Sequence, residues 1–175
     1  MTLPHTAAQS TGDPSWVILS GDARSRPLQI ASPATIDDAL AAAATPRVVL
    51  VRLPCDRHGV RRGLAAAAAF ALDAAIGDDA ADKLAIIVEE WLVNVVEHGG
   101  GPGRIAMRLE RRDGCVRMMF SDTGQPFDPR AVVFEGPNAE RGGGAGLALI
   151  KAWSRIAGYS RRGGRNRVVL EMAVP

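Results

Sequence analysis

Two segments of alternating apolar and polar residues, joined at Asp113-Gly114, predict a β-hairpin in the second half of the chain. They read GRIAMRLERR, residues 103–112, and CVRMMFSD, residues 115–122. An Asp-Gly pair supplies the positive φ angles that a tight hairpin turn requires. Strict alternation indicates strands with one apolar face, and that face must pack against helices or a second sheet.

The segments around the hairpin predict three helices and two further strands. Helical periodicity runs through residues 56–77, 78–100 and 145–158, and β-branched runs occupy residues 47–54 and 165–174. The order is therefore strand, helix, helix, hairpin, loop, helix, strand. That order favours an α+β fold, with the helices on one face of a mostly antiparallel sheet.

Length and composition limit the domain organisation and the class of partner. With 175 residues, 47% of them hydrophobic, the chain suits one well-packed domain. We place that domain at residues 47–175 and treat residues 1–46 as a partly structured N-terminal extension of unknown role. The net charge of +2 gives no reason to expect nucleic acid as a partner.

The cysteines and the apolar segments indicate a cytoplasmic protein. Cys55 and Cys115 are far apart in the sequence and have no metal-type spacing, which favours two reduced thiols. No apolar run reaches the ~18 residues that a membrane span needs. The first residues, MTLPHTAAQSTGDP, have neither the basic start nor the apolar core of a secretory signal.

The second predicted helix carries a row of polar side chains beside its apolar stripe. Glu90, Asn94 and His98 recur every four residues and therefore share one face. The apolar stripe consists of Leu84, Ile87, Val88, Trp91 and Val95. The polar row is either a solvated face or a phosphoryl-transfer site. In such a site the amide oxygen is a ligand for Mg²⁺ and the carboxylate accepts a proton.

Two loops that contain glycine favour the interpretation of the polar row as a phosphoryl-transfer site. Asp122 and Gly124 end the hairpin, where a carboxylate can accept a hydrogen bond from an amino group and glycine allows a flat ligand to approach. Residues 141–151, RGGGAGLALIK, place glycines directly before a helix, an arrangement that leaves N–H groups free for phosphate. The loop is neither a Walker A loop nor a dinucleotide-binding fingerprint. Each loop alone is also compatible with an ordinary turn.

In order and spacing, the motifs EEWLVNVVEHG, DTGQPFDP and GLALIKAWSRIAGYSRRGGRNRVVLEMAV resemble the GHKL ATPase superfamily. The resemblance is closest to its anti-sigma-factor serine/threonine kinases, of the SpoIIAB and RsbW type, and covers residues 48–174. It implies a Bergerat-type two-layer sandwich and binding of ATP with Mg²⁺. Residues 127–143 would then form the ATP lid.

The resemblance also implies a role for each motif position. Asn94 would coordinate Mg²⁺ between the phosphates, and Glu90 would activate a serine or threonine hydroxyl. Asp122 would bind the adenine amino group, with Gly124 against the ring. The remaining implied nucleotide-binding residues are His98, which would shape the end of the site, Arg141 near the γ-phosphate, and Gly144, Gly146 and Leu147 around the phosphates.

Two positions depart from the family pattern. Pro126 stands where many members have a second glycine, and we expect an altered lid geometry with binding retained. Asn166 stands where a Gly-Thr pair often contacts adenine, so the resemblance does not carry that contact over to this chain.

The resemblance favours a protein that sequesters a sigma factor and phosphorylates an anti-anti-sigma partner of the STAS type, as a homodimer. An alternative is a non-catalytic, ATP-binding sequestering module. A third reading, the catalytic domain of a histidine kinase, needs a phosphate-accepting histidine on a dimerising helix, and His5, His58 and His98 are not in one. The first helix with its segment DRHGVRRG, residues 56–63, is a candidate partner-binding face, but Arg57, Arg61 and Arg62 are equally compatible with a solvated basic turn.

Overall fold

A computed structural model of the protein describes residues 47–132 and 145–175. Within these residues the chain forms five strands and three helices. In chain order they are β1 Val48–Pro54, α1 Arg57–Asp73, α2 Asp78–His98, β2 Arg104–Arg112, β3 Cys115–Asp122, α3 Ala145–Trp153, β4 Arg155–Arg162 and β5 Arg165–Ala173. The predicted extension, residues 1–46, and residues 133–143 of the predicted lid lie outside the described residues.

The strands form one sheet in the order β1-β2-β3-β5-β4, and all four pairings are antiparallel. The predicted hairpin is present as β2 and β3, and its turn residue Gly114 has a φ of 70°. The helices pack on one face of this sheet. The prediction of an α+β fold is therefore confirmed.

The third predicted helix extends too far, because its last residues belong to a separate strand. We expected a helix over residues 145–158, but α3 ends at Trp153, and β4 begins at Arg155. The turn Gly163-Gly164, with φ of 55° and 74°, folds β4 back onto β5. Backbone pairing to β5 therefore overrides the helical periodicity of this segment, which a local pattern does not reveal.

The first predicted helix is shorter than its apolar pattern. It ends at Asp73, and Gly77 is the N-cap of α2. At its start, the Asp56 side chain accepts a hydrogen bond from the Gly59 N–H at 2.8 Å. That bond satisfies one of the free N–H groups of the first turn.

The core lies between the helices and the inner face of the sheet. The predicted stripe of α2 is entirely buried. It packs with inward side chains of the central strands, among them Met107, Met118, Phe120 and Leu170. This packing holds one face of α2 in place, which sets the direction of the polar residues beside the stripe.

The outer face of the sheet is charged. Glu110 is paired with Arg108 and Arg112, each at 3.2 Å, and Glu171 is paired with Arg155. Alternation in the strands places these residues opposite the apolar core.

Among the described residues, no helix is both long enough and apolar enough to cross a membrane.

Candidate functional site

A cavity of about 170 Å³ opens between the end of α2, the end of β3, the start of β5 and the loop after β3. Its lining consists of Trp91, Asn94, Val95, His98, Gly99, Asp122, Gln125, Pro126, Phe127 and Asn166. Three of the residues predicted from the sequence, Asn94, His98 and Asp122, meet here. They come from two elements that are separated in the chain by β2.

The polar row of α2 reaches this cavity at two positions. Asn94 is half-buried and His98 is exposed, and both line it. In the described part of the chain, the Asn94 amide has no hydrogen-bond partner. A half-buried amide costs free energy when it lacks a partner, so it is suited to bind a ligand. Its oxygen can coordinate Mg²⁺ together with phosphate oxygens.

Glu90 lies one turn away, beside the start of α3. A Cβ built on Gly146 would come within 2.0 Å of Glu90 Oε2, so glycine is needed for the carboxylate to occupy this position. Glu90 is half-buried, and within residues 47–132 and 145–175 it has no hydrogen-bond or ion-pair partner. The structure therefore places a free carboxylate beside the N-terminal end of a helix.

One wall of the cavity is aromatic. Trp91 is buried, and its ring centroid lies 5.8 Å from that of Phe120 and 6.3 Å from that of Phe127. Phe127 is 42% exposed although it is a large apolar residue. Such a wall suits a flat, apolar ligand. By sequence, Trp91 belongs to the apolar stripe of a helix and Phe127 to the start of the implied lid, so neither position reveals this wall.

Asp122 is buried at the back of the cavity, with only 5% of its surface exposed. Its Oδ1 accepts hydrogen bonds from the Gly124 N–H and from the Asn166 side-chain amide, each at 2.9 Å. Its Oδ2 accepts none from the described residues, and it is not sealed from solvent. Asp122 therefore offers one free acceptor to a ligand.

Asn166 also belongs to the site, although the motif resemblance assigns it no role there. It is 4% exposed and lines the cavity. It points to the inner face of β5, where its neighbours in the alternation, Val168 and Leu170, are apolar. The sequence signal that could have revealed this role is a polar residue at an inward position of a strand.

The backbone at Gly124 lies against the end of α2. The Gln125 N–H donates to the Gly99 carbonyl at 3.0 Å, and a Cβ on Gly124 would lie 2.8 Å from the same oxygen. Gly124 therefore allows this loop to approach α2. It lines a second cavity, of about 80 Å³, and not the larger one.

Cys55 also lines the smaller cavity. Burial raises the pKa of the Cys55 thiol above its ordinary value, and the carboxylates of Asp122 and Asp56 raise it further. The thiolate is the nucleophilic form, so Cys55 is an unreactive, neutral thiol at physiological pH.

In the part of the chain that the structure describes, no cluster of three or more His, Cys, Asp or Glu side chains is arranged to hold a metal.

The remaining predicted site residues lie at the start of α3 or outside the described residues. Gly146 contacts Glu90, as described above, and Leu147 is buried, so Leu147 would reach a ligand through its backbone N–H. Arg141 and Gly144 lie outside the described residues.

Comparison with known proteins agrees with this geometry. The sequence profile of the Histidine kinase-like ATPase domain family matches residues 53–172. Among curated proteins, none matches the sequence significantly.

One similar solved structure is the crystal structure of the RsbU and RsbW domains of Rv1364c from Mycobacterium tuberculosis. It aligns with a TM-score of 0.51 and 18% sequence identity, over 73% of this chain and 32% of that chain. At this identity the likeness concerns the fold. The chain spans about a third of the length of that structure.

Proposed function

Because the chain belongs to the Histidine kinase-like ATPase domain family, we propose that residues 47–175 bind ATP with Mg²⁺ and phosphorylate a protein on serine or threonine. The observation that carries this proposal is the position of Glu90. Its carboxylate has no partner among the described residues, and it lies against Gly146, one turn from the free amide of Asn94.

Adenine would occupy the larger cavity. Trp91 and Phe127 offer an apolar wall for the ring, and Asp122 Oδ2 is a free acceptor for the exocyclic amine. The triphosphate would then extend toward the start of α3. The free N–H groups and the positive end of the helix dipole favour an anion there.

Asn94 would hold the metal ion together with the phosphate oxygens. Its amide lines the cavity and has no partner within the described ranges. Bound Mg²⁺ would neutralise part of the phosphate charge. Since one protein ligand and several phosphate and water ligands are typical of Mg²⁺, the residues present fit this ion.

Glu90 would act as the general base. A serine or threonine hydroxyl of the substrate protein transfers its proton to the Glu90 carboxylate, and its oxygen forms a bond to the γ-phosphorus. The bond between that phosphorus and the bridging oxygen breaks, and ADP leaves. A carboxylate that accepts no competing hydrogen bond is available for this proton.

We further propose that the protein acts by partner switching in the cytoplasm, as an anti-sigma factor whose substrate is an anti-anti-sigma protein of the STAS type, and that it forms a homodimer. The motif resemblance supports this proposal, as does the fold shared with a structure that contains an RsbW domain. Direct binding of nucleic acid or of a membrane is not part of it.

The test compares Glu90→Gln with Glu89→Gln, which changes an exposed neighbour on the same helix. We expect both variants to bind ATP as the unchanged protein does. Glu90→Gln should lower the rate of phosphate transfer by about 10²- to 10⁴-fold, because the base is lost. Calorimetry measures binding, and radiolabelled ATP with candidate STAS domains measures transfer.

Two outcomes would contradict the proposal in different ways. A normal transfer rate in Glu90→Gln would show that Glu90 is not the base. If the unchanged protein binds ATP and a sigma factor but transfers no phosphate to its partners, the protein is the non-catalytic module.

A further inference from the structure

We infer that Asn166 is a positioning residue that makes the nucleotide site selective for purines with a 6-amino group. It would do so by holding Asp122 with one oxygen occupied and the other open. This inference rests on the proposed binding of ATP and concerns how this chain recognises the base.

The orientation of the Asn166 amide is determined by its partners. Its Nδ2 donates to Asp122 Oδ1 at 2.9 Å and to the Gln125 carbonyl at 2.7 Å. Its Oδ1 accepts from the Tyr159 hydroxyl at 3.1 Å and from Arg161 Nη1 at 2.8 Å. Both N–H donors and both lone pairs are therefore used. If the amide were reversed, its N–H groups would point at the donors of Tyr159 and Arg161, and its oxygen would point at the acceptors of Asp122 and Gln125.

Asn166 consequently has no capacity left to bond a nucleotide. A side-chain amide offers two donors and two lone pairs, and all four are engaged inside the protein. Its influence on a ligand must pass through the residues that it holds. This distinguishes it from a residue that contacts adenine directly.

The first residue that it holds is Asp122. With the Gly124 N–H, Asn166 supplies both hydrogen bonds to Oδ1, and this fixes the plane of a carboxylate that is 5% exposed. The open Oδ2 is a hydrogen-bond acceptor. It attracts the amino group of a 6-aminopurine and repels the carbonyl oxygen of a 6-oxopurine.

The second structure that it holds is the loop that borders the cavity. Asn166 bonds the Gln125 carbonyl, and Arg161, which bonds Asn166, also donates to the Gly124 carbonyl at 2.9 Å. The hairpin of β4 and β5 thus fixes this loop just before Pro126. These hydrogen bonds within the protein hold the loop and, with it, the orientation of Asp122.

The experiment measures the dissociation constants of ATP and of inosine triphosphate, which differ in the 6-amino and 6-oxo groups, for the full chain. We expect the unchanged protein to prefer ATP by roughly 10- to 100-fold, since a hydrogen bond to a charged group is at stake. In Asn166→Ala this preference should fall to below about threefold. The affinity for inosine triphosphate should stay the same or rise, because a carboxylate that has lost its fixed direction no longer repels the 6-oxo group.

Tyr159→Phe is the matched control. It removes one bond to Asn166 Oδ1 and keeps both bonds from Nδ2, so we expect the preference for ATP to be retained. A residue with only a structural role would weaken both nucleotides together and leave their ratio unchanged. The ratio therefore separates a positioning role from a general loss of stability.

The outcomes distinguish this inference from the proposed function. If the unchanged protein binds neither nucleotide, the proposed ATP site is wrong. If the unchanged protein prefers ATP and Asn166→Ala keeps the same ratio of the two dissociation constants, only the inference about Asn166 is overturned.

If circular dichroism shows that Asn166→Ala is unfolded, two measurements replace it. Asn166→Thr keeps a donor and should retain an intermediate ratio, whereas the full ratio would overturn the inference. In the unchanged protein, the Asn166 side-chain amide protons should remain protected from exchange with and without ATP. A change in their protection on binding would show that Asn166 contacts the base itself.

Discussion

Two carboxylates of the site differ in how the protein treats them, and the difference matches their proposed roles. Asp122 accepts two hydrogen bonds on one oxygen and is held in a fixed orientation. Glu90 accepts none from the described residues and lies beside Gly146. A recognition group needs a fixed direction, whereas a base must be free to receive a proton.

Gly146→Ala tests the contact between α2 and α3 at the level of a single methyl group. The new Cβ would lie 2.0 Å from Glu90 Oε2, and the flexible end of that side chain would have to move away. We expect phosphate transfer to fall by about 10- to 100-fold, because a displacement of about 1 Å is enough for such a loss. Thermal unfolding should change little.

Gly158→Ala is the control for this prediction, since a Cβ there would meet no atom within 4 Å. Its transfer rate should equal that of the unchanged protein. Full activity of Gly146→Ala would show that the position of Glu90 does not control the reaction.

At the level of elements, the junction of β1 and α1 depends on a small residue. Gly59 is buried in the first turn of α1, and a Cβ on it would lie 1.9 Å from the Pro54 carbonyl oxygen. Gly63, one turn later, would instead meet Leu92 Cδ1 at 2.3 Å. A backbone oxygen in a paired strand cannot move easily, but the end of a leucine side chain can.

We therefore expect Gly59→Ala to be the more destabilising of the two substitutions. Both gain about 1 kcal/mol of helix propensity. Gly59→Ala should still lower the free energy of unfolding by about 2 kcal/mol because of overpacking, whereas Gly63→Ala should remain within about 1 kcal/mol of the unchanged protein. Urea denaturation measures both, and equal losses would contradict this account of the junction.

At the level of the whole molecule, the site lies where separate parts of the fold converge. Residues from α2, the end of β3, the loop after it and the start of β5 line one cavity. The buried core that holds these elements together extends from Val51 to Val174 within the described residues. We therefore propose that residues 47–175 contain the parts needed for the site and for the core.

A chain that begins at residue 47 should accordingly fold and bind ATP. We expect a single cooperative unfolding transition, and the same increase in stability with ATP as the full chain shows. At an ATP concentration of 100 times Kd, that increase is about 2.7 kcal/mol. Calorimetry with and without ATP measures it. A fragment that does not unfold cooperatively would place part of residues 1–46 in the domain.

Local patterns in the sequence were sufficient for the elements whose form depends on near neighbours. Alternation and Asp113-Gly114 predicted the hairpin, and a period of 3.6 predicted both faces of α2. The polar row of Glu90, Asn94 and His98 followed from the same period, because residues four apart share a face whatever surrounds the helix.

Only the tertiary structure decided the rest, because it depends on residues far apart in the chain. The segment after Trp153 is a strand because β5 pairs with it, although its own pattern is helical. Asn166 holds Asp122 across 44 positions, and Gly146 makes room for Glu90 on another helix. Spacing along a chain does not specify such contacts. They exist because packing of the apolar core brings these elements together at the same end of the sheet.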